Sequence, residues 1–226
     1  MATPASAKTF LVFTKTTGFR HDSIPAGVEA LRGIAAALGG KVEHTEDSAV
    51  HDPAELAKFA AVVWLSTSGD VLGELERAAL ADYVTGGGGW LGVHGASTAE
   101  RSWPFYKELV GARFIGHPPG CTPGEVDVVV TDHPSTAHLP KRWAWTDEWY
   151  SFDARPEGVE VLLEADESTY EAGDLAMGAP HPLAWHRRLE AGRCFYTALG
   201  HDAAAYEDPD FLAHLTGGLG SVVHGE

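Results

Sequence analysis

The segment at residues 89–97, GWLGVHGAS, limits the fold more than any other part of the sequence, because its apolar run ends at a histidine between small residues. A side chain at the apex of a sharp strand-to-helix turn needs small residues two positions before and two positions after it, since the helix must pack close to the strand. Gly92 and Ala96 stand at those positions around His94. We therefore predict that His94 lies where a buried strand breaks into a helix at a sheet edge.

Short apolar runs alternate with amphipathic segments along the first half of the chain, and strands return in the second half. The patterns predict strands at residues 9–13, 41–46, 60–65, 90–93, 125–131, 159–165, 183–186 and 193–197. Helical spacing predicts helices at 23–38, 72–84, 103–110 and 209–223. This alternation is typical of a parallel sheet covered on both faces, so the predicted fold class is α/β. We interpret residues 1–226 as a single domain.

The charge balance argues against two kinds of partner. The chain carries 32 acidic and 16 basic residues, a formal charge of −16, which repels phosphate backbones and anionic lipid surfaces. We therefore expect neither nucleic acid nor a membrane as a partner. Residues 1–8 lack the features of a secretory signal, and no apolar run reaches membrane-spanning length, so a cytoplasmic location is predicted.

Histidine is abundant in this chain and cysteine is scarce. Twelve histidines accompany only two cysteines, Cys121 and Cys194. Two cysteines exclude a disulfide framework and a four-cysteine zinc site. A bound metal would therefore need nitrogen and oxygen ligands.

Three histidines follow predicted strands at the point where each strand ends. His21 and His94 come after apolar strands, and His201 comes after the strand at 193–197. Because the carboxyl ends of parallel strands meet at one edge of a sheet, we expect these imidazoles to converge. They could act as acid–base groups. They could also hold a divalent metal together with Glu148, although the sequence has no closely spaced zinc signature and establishes no cofactor.

Glu148 stands among aromatic residues. Trp145 precedes it, and Trp149 and Tyr150 follow it. An apolar wall would raise the pKa of the carboxyl group towards the range useful to a catalytic acid or base. The aromatic rings could stack on a sugar, or they could simply pack in the core. We predict Glu148 as a catalytic residue, with Trp149 and Tyr150 in contact with the substrate.

Four more polar residues are candidates for substrate contacts. Arg20 could clamp an anionic or polyhydroxyl group, or form a surface ion pair. His117 lies in a loop that could cover the site or only turn the chain. Asp202 could orient an imidazole, and the hydroxyl of Tyr206 could reach the site or only pack.

A set of motifs, taken together and in order, resembles the ThuA-like, trehalose-utilisation family. They are FRH at 19–21, GVHGA at 92–96, residues 114–118, DEWY at 147–150, HP at 181–182 with Trp185, GR at 192–193 and YTALGH at 196–201. The resemblance covers a core of about residues 9–220. It implies a flavodoxin-like three-layer sandwich similar to class I glutamine amidotransferases, and a role in bacterial sugar catabolism. Amidotransferases carry a cysteine where this chain has His94, so glutamine hydrolysis through a thiolate is not expected.

These observations leave three functions open. The leading hypothesis is an enzyme that processes a trehalose-like sugar or a keto-glycoside, with His94, His21, His201 and Glu148 as acid–base groups. A metal-dependent sugar hydrolase or isomerase with His21, His94 and His201 as ligands is the second. The third is a carbohydrate-binding or regulatory protein without activity. In each case the predicted partner is a small carbohydrate, and a homodimer is compatible with the sequence.

Overall fold

A nine-stranded sheet runs through the computed structural model, which describes residues 8–223. The strands within this range are β1 (Lys8–Phe13), β2 (Gly40–Thr45), β3 (Ala61–Leu65), β4 (Gly89–Val93), β5 (Phe114–Gly116), β6 (Thr122–Val128), β7 (Arg142–Asp147), β8 (Ser151–Phe152), β9 (Glu160–Asp166), β10 (His181–Leu189) and β11 (Gly192–Thr197). The helices are α1 (Ile24–Ala37), α2 (Pro53–Leu56), α3 (Glu74–Thr85), α4 (Pro104–Val110) and α5 (Pro209–Val223).

The strand order of the large sheet is β2-β1-β3-β4-β11-β10-β9-β6-β7. The ladders from β2 to β11 are parallel, and those from β11 to β7 are antiparallel. Strands β5 and β8 form a separate antiparallel pair. Every residue of β3 and of β4 is buried, as expected for strands covered on both faces.

Helices cover opposite faces of the parallel strands. Gly27 of α1 lies so close to Leu65 that a Cβ atom there would be 2.8 Å from Leu65 Cδ2. The ring of the preceding residue, Trp64, lies 5.0 Å from that of Tyr106 in α4, measured between ring centroids. Since neighbouring residues of a strand point to opposite faces, α1 and α4 lie on different sides of the sheet. The predicted α/β class, with its parallel central sheet, is confirmed.

Three strands, β5, β7 and β8, and the start of β6 were not expected from the sequence. Residues 111–124 were interpreted as a loop, but they contain β5 and the start of β6. Strand β7 also lacks an apolar run, because it pairs with β6 alone at the end of the sheet and alternates buried Trp143 with exposed neighbours. The alternation of tryptophans with exposed residues in β7 was therefore not recognised as a strand pattern.

In residues 8–223 no helix combines the length and the apolar character needed to cross a membrane. The prediction that residues 1–8 carry no secretory signal falls almost wholly on residues 1–7, which lie outside the described range. The single-domain prediction likewise includes residues 1–7 and 224–226, which are not described.

Candidate functional site

His94 lies at the predicted sharp turn. Strand β4 ends at Val93, and His94 follows with a φ of 48°, in the left-handed region that side chains rarely adopt. Such a conformation costs about 1–3 kcal/mol and persists only where the surroundings impose it. The helix that follows is a short 3₁₀ segment, His94–Thr98. Gly95 lets the turn approach His21, since a Cβ atom there would lie 3.0 Å from His21 Cε1.

Hydrogen bonds set the orientation of the His94 ring, which is fully buried. Its Nδ1 lies 2.6 Å from the carbonyl oxygen of Ala198, and because a carbonyl can only accept, Nδ1 carries the hydrogen. The hydroxyl of Tyr196 donates to the carbonyl oxygen of His94 at 2.9 Å and holds the turn. In the neutral ring the lone pair of Nε2 is therefore directed towards the other polar groups of the site.

Four separate loops bring His21, His94, Glu148 and His201 together at the carboxyl ends of the parallel strands. One ligand atom from each side chain lies within 4.8 Å of those of the other three, and we call this group the histidine–glutamate cluster. His201 Nδ1 lies 2.9 Å from Glu148 Oε2 and 3.3 Å from His94 Nε2. His94 Nε2 lies 3.7 Å from the same carboxylate oxygen. The three predicted histidines and Glu148 thus converge.

Asp147 positions two members of the cluster and was not among the predicted site residues. Its buried carboxylate accepts hydrogen bonds from the backbone N–H groups of Gly200 at 2.8 Å and His201 at 3.1 Å. It also accepts from the N–H of Glu148 at 2.9 Å. One side chain therefore joins the loop after β7 to the loop after β11. The only signal in the sequence was an acid directly before Glu148, since the strand that ends at Asp147 was not predicted.

The protonation of Glu148 differs from the sequence expectation. Burial raises the pKa of this carboxyl, but the hydrogen bond from His201 and the nearness of His94 outweigh burial and hold the pKa well below its ordinary value. The apolar wall predicted from its neighbours does not dominate. The hydrogen bond to Glu148 conversely raises the pKa of His201, against the opposing effect of burial. At neutral pH Glu148 is a carboxylate that favours a protonated His201.

The pKa of His21, in the same cluster, is shifted in the opposite direction to that of His201. Burial, followed by the nearby imidazoles of His94 and His201, lowers the pKa of His21 to about 3. Its Nδ1 is buried without a hydrogen-bond partner among the described residues. A neutral imidazole with a free nitrogen therefore lies beside an imidazole that favours protonation, and such a difference marks out base and acid.

Three further rings border the cluster. The ring of Tyr150 lies 4.2 Å from that of His94 between centroids, and its hydroxyl lies 3.5 Å from His21 Nε2. His117 Nε2 lies 3.5 Å from Glu148 Oε2. Phe19 is 69% exposed and meets the ring of His21 edge-on at 4.8 Å, although sequence reasoning gave it no role of its own. Two of the predicted substrate contacts, Tyr150 and His117, thus lie at the cluster.

The other predicted substrate contacts are placed differently. Trp149 is fully buried, stacks on Tyr170 and donates from Nε1 to Thr122, so it packs in the core. Arg20 forms an ion pair with Glu46 at 2.7 Å, with about half of its side chain exposed, which is the arrangement of the surface-pair alternative.

Tyr206 and Asp202 flank the loop that carries His201. Tyr206 is buried, and its hydroxyl donates to the carbonyl oxygen of Gly200 at 3.1 Å, so it supports the backbone of this loop and does not face a substrate. Asp202 is exposed, and a carboxylate oxygen of it lies within 4.8 Å of a ligand atom of both Cys121 and His201. Asp202 therefore remains next to the cluster, at its outer side.

A cleft of about 710 Å³ extends from Asp202 along β6 and β7. Its lining includes Trp145 and the acids Glu125 and Asp208. Carboxylates beside an exposed part of an aromatic ring suit a ligand with many hydroxyl groups and apolar C–H faces. The cleft therefore offers a surface that fits a carbohydrate, and Asp202, next to His201 of the cluster, lies in its lining.

The donor set of the cluster also fits a divalent metal. Tetrahedral zinc with bonds of about 2.0–2.1 Å to nitrogen or oxygen requires ligand atoms about 3.3–3.4 Å apart. The separations among His94, His201 and Glu148 are 3.3, 2.9 and 3.7 Å. The bond from His94 Nδ1 to a backbone carbonyl is the outer contact that metal-bound histidines usually make. His21, His94, His201 and Glu148 would hold such an ion.

Comparisons with known proteins agree with the resemblance seen in the sequence. A solved ThuA-like protein from Bacteroides uniformis is 22% identical, with 96% of this chain and 92% of that chain covered at a TM-score of 0.78. A cytoplasmic protein from Salmonella typhimurium is 11% identical, with 95% and 98% covered and a TM-score of 0.65. A GMP synthase protein from Thermoplasma acidophilum is 12% identical, with 96% of both chains covered and a TM-score of 0.56.

These structural likenesses show the fold, including its similarity to glutamine amidotransferase-like proteins. No curated protein matches the chain. A family model does match, and it spans residues 9–220, almost the whole of the chain. The chain therefore belongs to the ThuA family, whose description is trehalose utilisation.

Proposed function

We propose that this chain is a carbohydrate-processing enzyme in which the histidine–glutamate cluster carries out acid–base chemistry. The observation that supports this most strongly is the convergence of three imidazoles and one carboxylate from four loops within 4.8 Å. Gathering four such groups in a largely buried place is costly unless their interactions are used. The ThuA family suggests a role in sugar metabolism, which agrees with the cleft beside Asp202.

The roles follow from the protonation states of the cluster. His201 is about a quarter exposed and is held towards its protonated form by Glu148, so it is the general acid. His94 presents a lone pair on Nε2, and His21 is neutral, so these two rings are the candidate bases. Glu148 remains ionised and keeps His201 charged and oriented. Tyr150 packs over His94 and limits the access of water.

A keto-glycoside suits this arrangement better than an unmodified disaccharide. The C–H bond next to a ketone is acidic enough for a neutral imidazole to remove its proton. The electron pair then forms a carbon–carbon double bond as the neighbouring C–O bond breaks, and the imidazolium of His201 donates its proton to the departing sugar oxygen. Base and acid are both present within the cluster, so the step needs no redox partner.

A metal-dependent hydrolase or isomerase is the second candidate, and the ligand separations of 2.9–3.7 Å favour it. A divalent ion would polarise a sugar oxygen or activate water. Elemental analysis of purified protein, before and after chelation, separates the two candidates. We expect full activity with less than a tenth of an equivalent of metal; activity that disappears on chelation and returns with added ion establishes the metal-dependent reaction.

The test of the proposal is turnover of a panel containing trehalose and a keto-disaccharide, followed by mass spectrometry of the products. We expect His94→Ala to lower kcat about 10²–10⁴-fold, the usual contribution of a general acid or base. The matched control is His51→Gln, because His51 is equally buried but contacts Phe13 and Trp64 instead of the cluster. Tight sugar binding without any product, or an unimpaired His94→Ala enzyme, contradicts the proposal and favours a binding protein.

A further inference from the structure

A second cavity, of about 840 Å³, lies near the turn between β10 and β11, at the end of β11 away from His201. Helix α5 and the end of α1 provide its apolar and small residues, among them Leu38, Ala213 and Val222. Its polar lining includes Arg188 and Arg193. None of the cluster residues lines it, so this cavity is separate from the candidate active site.

Strand register places two positive charges on the same face of this hairpin. Arg188 of β10 pairs directly with Arg193 of β11 in the antiparallel ladder. Side chains at directly paired positions point to the same side and lie about 4.5–5.5 Å apart at their Cβ atoms. Like charges in that position destabilise a sheet. An anion bound between the two side chains would relieve this repulsion.

No carboxylate within residues 8–223 supplies that compensation. Neither Arg188 nor Arg193 forms an ion pair with any described acid, and the Nε–H of Arg193 is buried without an acceptor. Glu160 also lines the cavity, but its carboxylate is bound to His186 Nε2 at 2.6 Å. This is notable in a chain with twice as many acidic as basic residues. Among residues 8–223 the two guanidinium groups are therefore left without an acidic partner.

The charge to be balanced identifies the class of ligand. Arginine side chains present several N–H donors in a fixed fork that matches phosphate and carboxylate oxygens. Two guanidinium groups carry two positive charges, and a phosphate monoester carries about −1.5 to −2 at neutral pH, whereas a carboxylate carries one negative charge. The rings of His133 and His186, 4.6 Å apart between centroids and inclined at 34° to each other, also line the cavity.

We propose that this cavity is a binding site for a small organic phosphate, whose phosphate group lies between Arg188 and Arg193 and whose apolar or planar part lies against Leu38 and Val222. The bound ligand contacts β10, β11 and α5 near the start of β11, away from the histidine–glutamate cluster. The site does not depend on the reaction proposed for the cluster, since it shares no residue with it.

Calorimetry with phenyl phosphate tests the proposal directly. We expect one equivalent to bind, Arg188→Gln and Arg193→Gln each to weaken binding at least tenfold, and the double variant to bind none at millimolar concentrations. Arg32→Gln is the matched control, because Arg32 is a comparably exposed arginine that pairs with Glu29 on α1. Its affinity should equal that of the unmodified chain.

Two companion ligands decide the chemistry of the site. Inorganic phosphate should bind more weakly than phenyl phosphate, since it leaves the apolar wall uncovered, and benzoate should bind at least tenfold more weakly because of its single charge. Benzoate binding as tightly as phenyl phosphate overturns the assignment to phosphate. Undiminished binding by the double variant, or no binding by the unmodified chain, overturns the site. If Arg193→Gln fails to fold, the more exposed Arg188 decides the test alone.

Discussion

The two ends of strand β11 differ in whether their positively charged side chains have acidic partners. Beyond the carboxyl end, His201 lies 2.9 Å from Glu148, and Asp147 accepts hydrogen bonds from the same loop. Near the other end, Arg193 stands opposite Arg188 with no acid from the described residues beside them. Charges that are paired within the protein have preset protonation states, which acid–base chemistry requires. Charges left without a partner create affinity for an anion from solution.

We call the carboxyl end of β11 the paired end, because its charges are balanced within the protein, and the end with Arg188 and Arg193 the unpaired end. The largest expected effect of a substitution is at the paired end. Glu148→Gln removes the charge that raises the pKa of His201, so fewer His201 side chains carry the proton needed by a general acid. We expect kcat/KM to fall about 10²–10⁴-fold. Because His201 is active when protonated, activity declines as the pH rises through its pKa, and this alkaline limb should move to lower pH in the variant. Rate profiles between pH 5 and 9 measure both changes; an alkaline limb that stays in place contradicts the assignment.

Acid is expected to weaken both ends, because each contains histidines that are kept neutral. Burial lowers the pKa of His21 to about 3, and burial also lowers the pKa values of His51, His133 and His214 to about 4. Below the unfolded value of 6.5 the unfolded chain binds more protons than the folded chain, so stability decreases as the pH falls from 6.5 towards 4. Urea denaturation at pH 7, 5.5 and 4.5 should give a falling free energy of unfolding.

A matched variant identifies the source of that acid sensitivity. His214 is fully buried and bonds Ser135 and Thr197 through its two ring nitrogens. His214→Gln should be less stable at pH 7 and lose less stability on acidification, since the glutamine has no proton to gain. An equally steep decline in the variant would assign the acid sensitivity to groups other than His214.

A smaller effect is expected at Asp147, which organises the loops of the paired end. Asp147→Asn replaces one acceptor oxygen by a donor that faces backbone N–H groups, leaving buried donors without a partner. We expect a loss of about 1–3 kcal/mol in the free energy of unfolding. Asp82→Asn, on the exposed surface of α3, should change stability by less than about 0.5 kcal/mol. Chemical denaturation measures both, and equal effects would show that Asp147 has no special structural role.

The smallest effect is expected at the unpaired end and has the opposite sign. Without added phosphate, Arg188→Gln removes the repulsion between paired guanidinium groups and should raise the free energy of unfolding by about 0.2–1 kcal/mol. With saturating phenyl phosphate the order should reverse, because only the unmodified chain is stabilised by the ligand. Thermal denaturation with and without the ligand makes this comparison. A variant that is less stable in both conditions would remove the contrast between the two ends.

Local patterns were sufficient for the parallel half of the molecule. The apolar run of β4, the small residues around His94 and the spacing of the helices are each features of a few neighbouring residues, and they predicted the turn and the α/β class. Strand β7 was not predicted, because a strand at the end of a sheet needs no apolar run and its two tryptophans alternate with exposed residues.

Residue types and short-range order thus predict where His21, His94 and His201 leave the sheet, since the ends of parallel strands share an edge whatever the details. Which of two adjacent aromatic residues faces the cluster depends on tertiary packing, and it separates buried Trp149 from Tyr150. The protonation of Glu148 depends on His201, far away along the chain, and the opposition of Arg188 and Arg193 depends on strand register. Electrostatic interactions act through distance in space, so only the folded arrangement decides which charges are paired and which await a ligand.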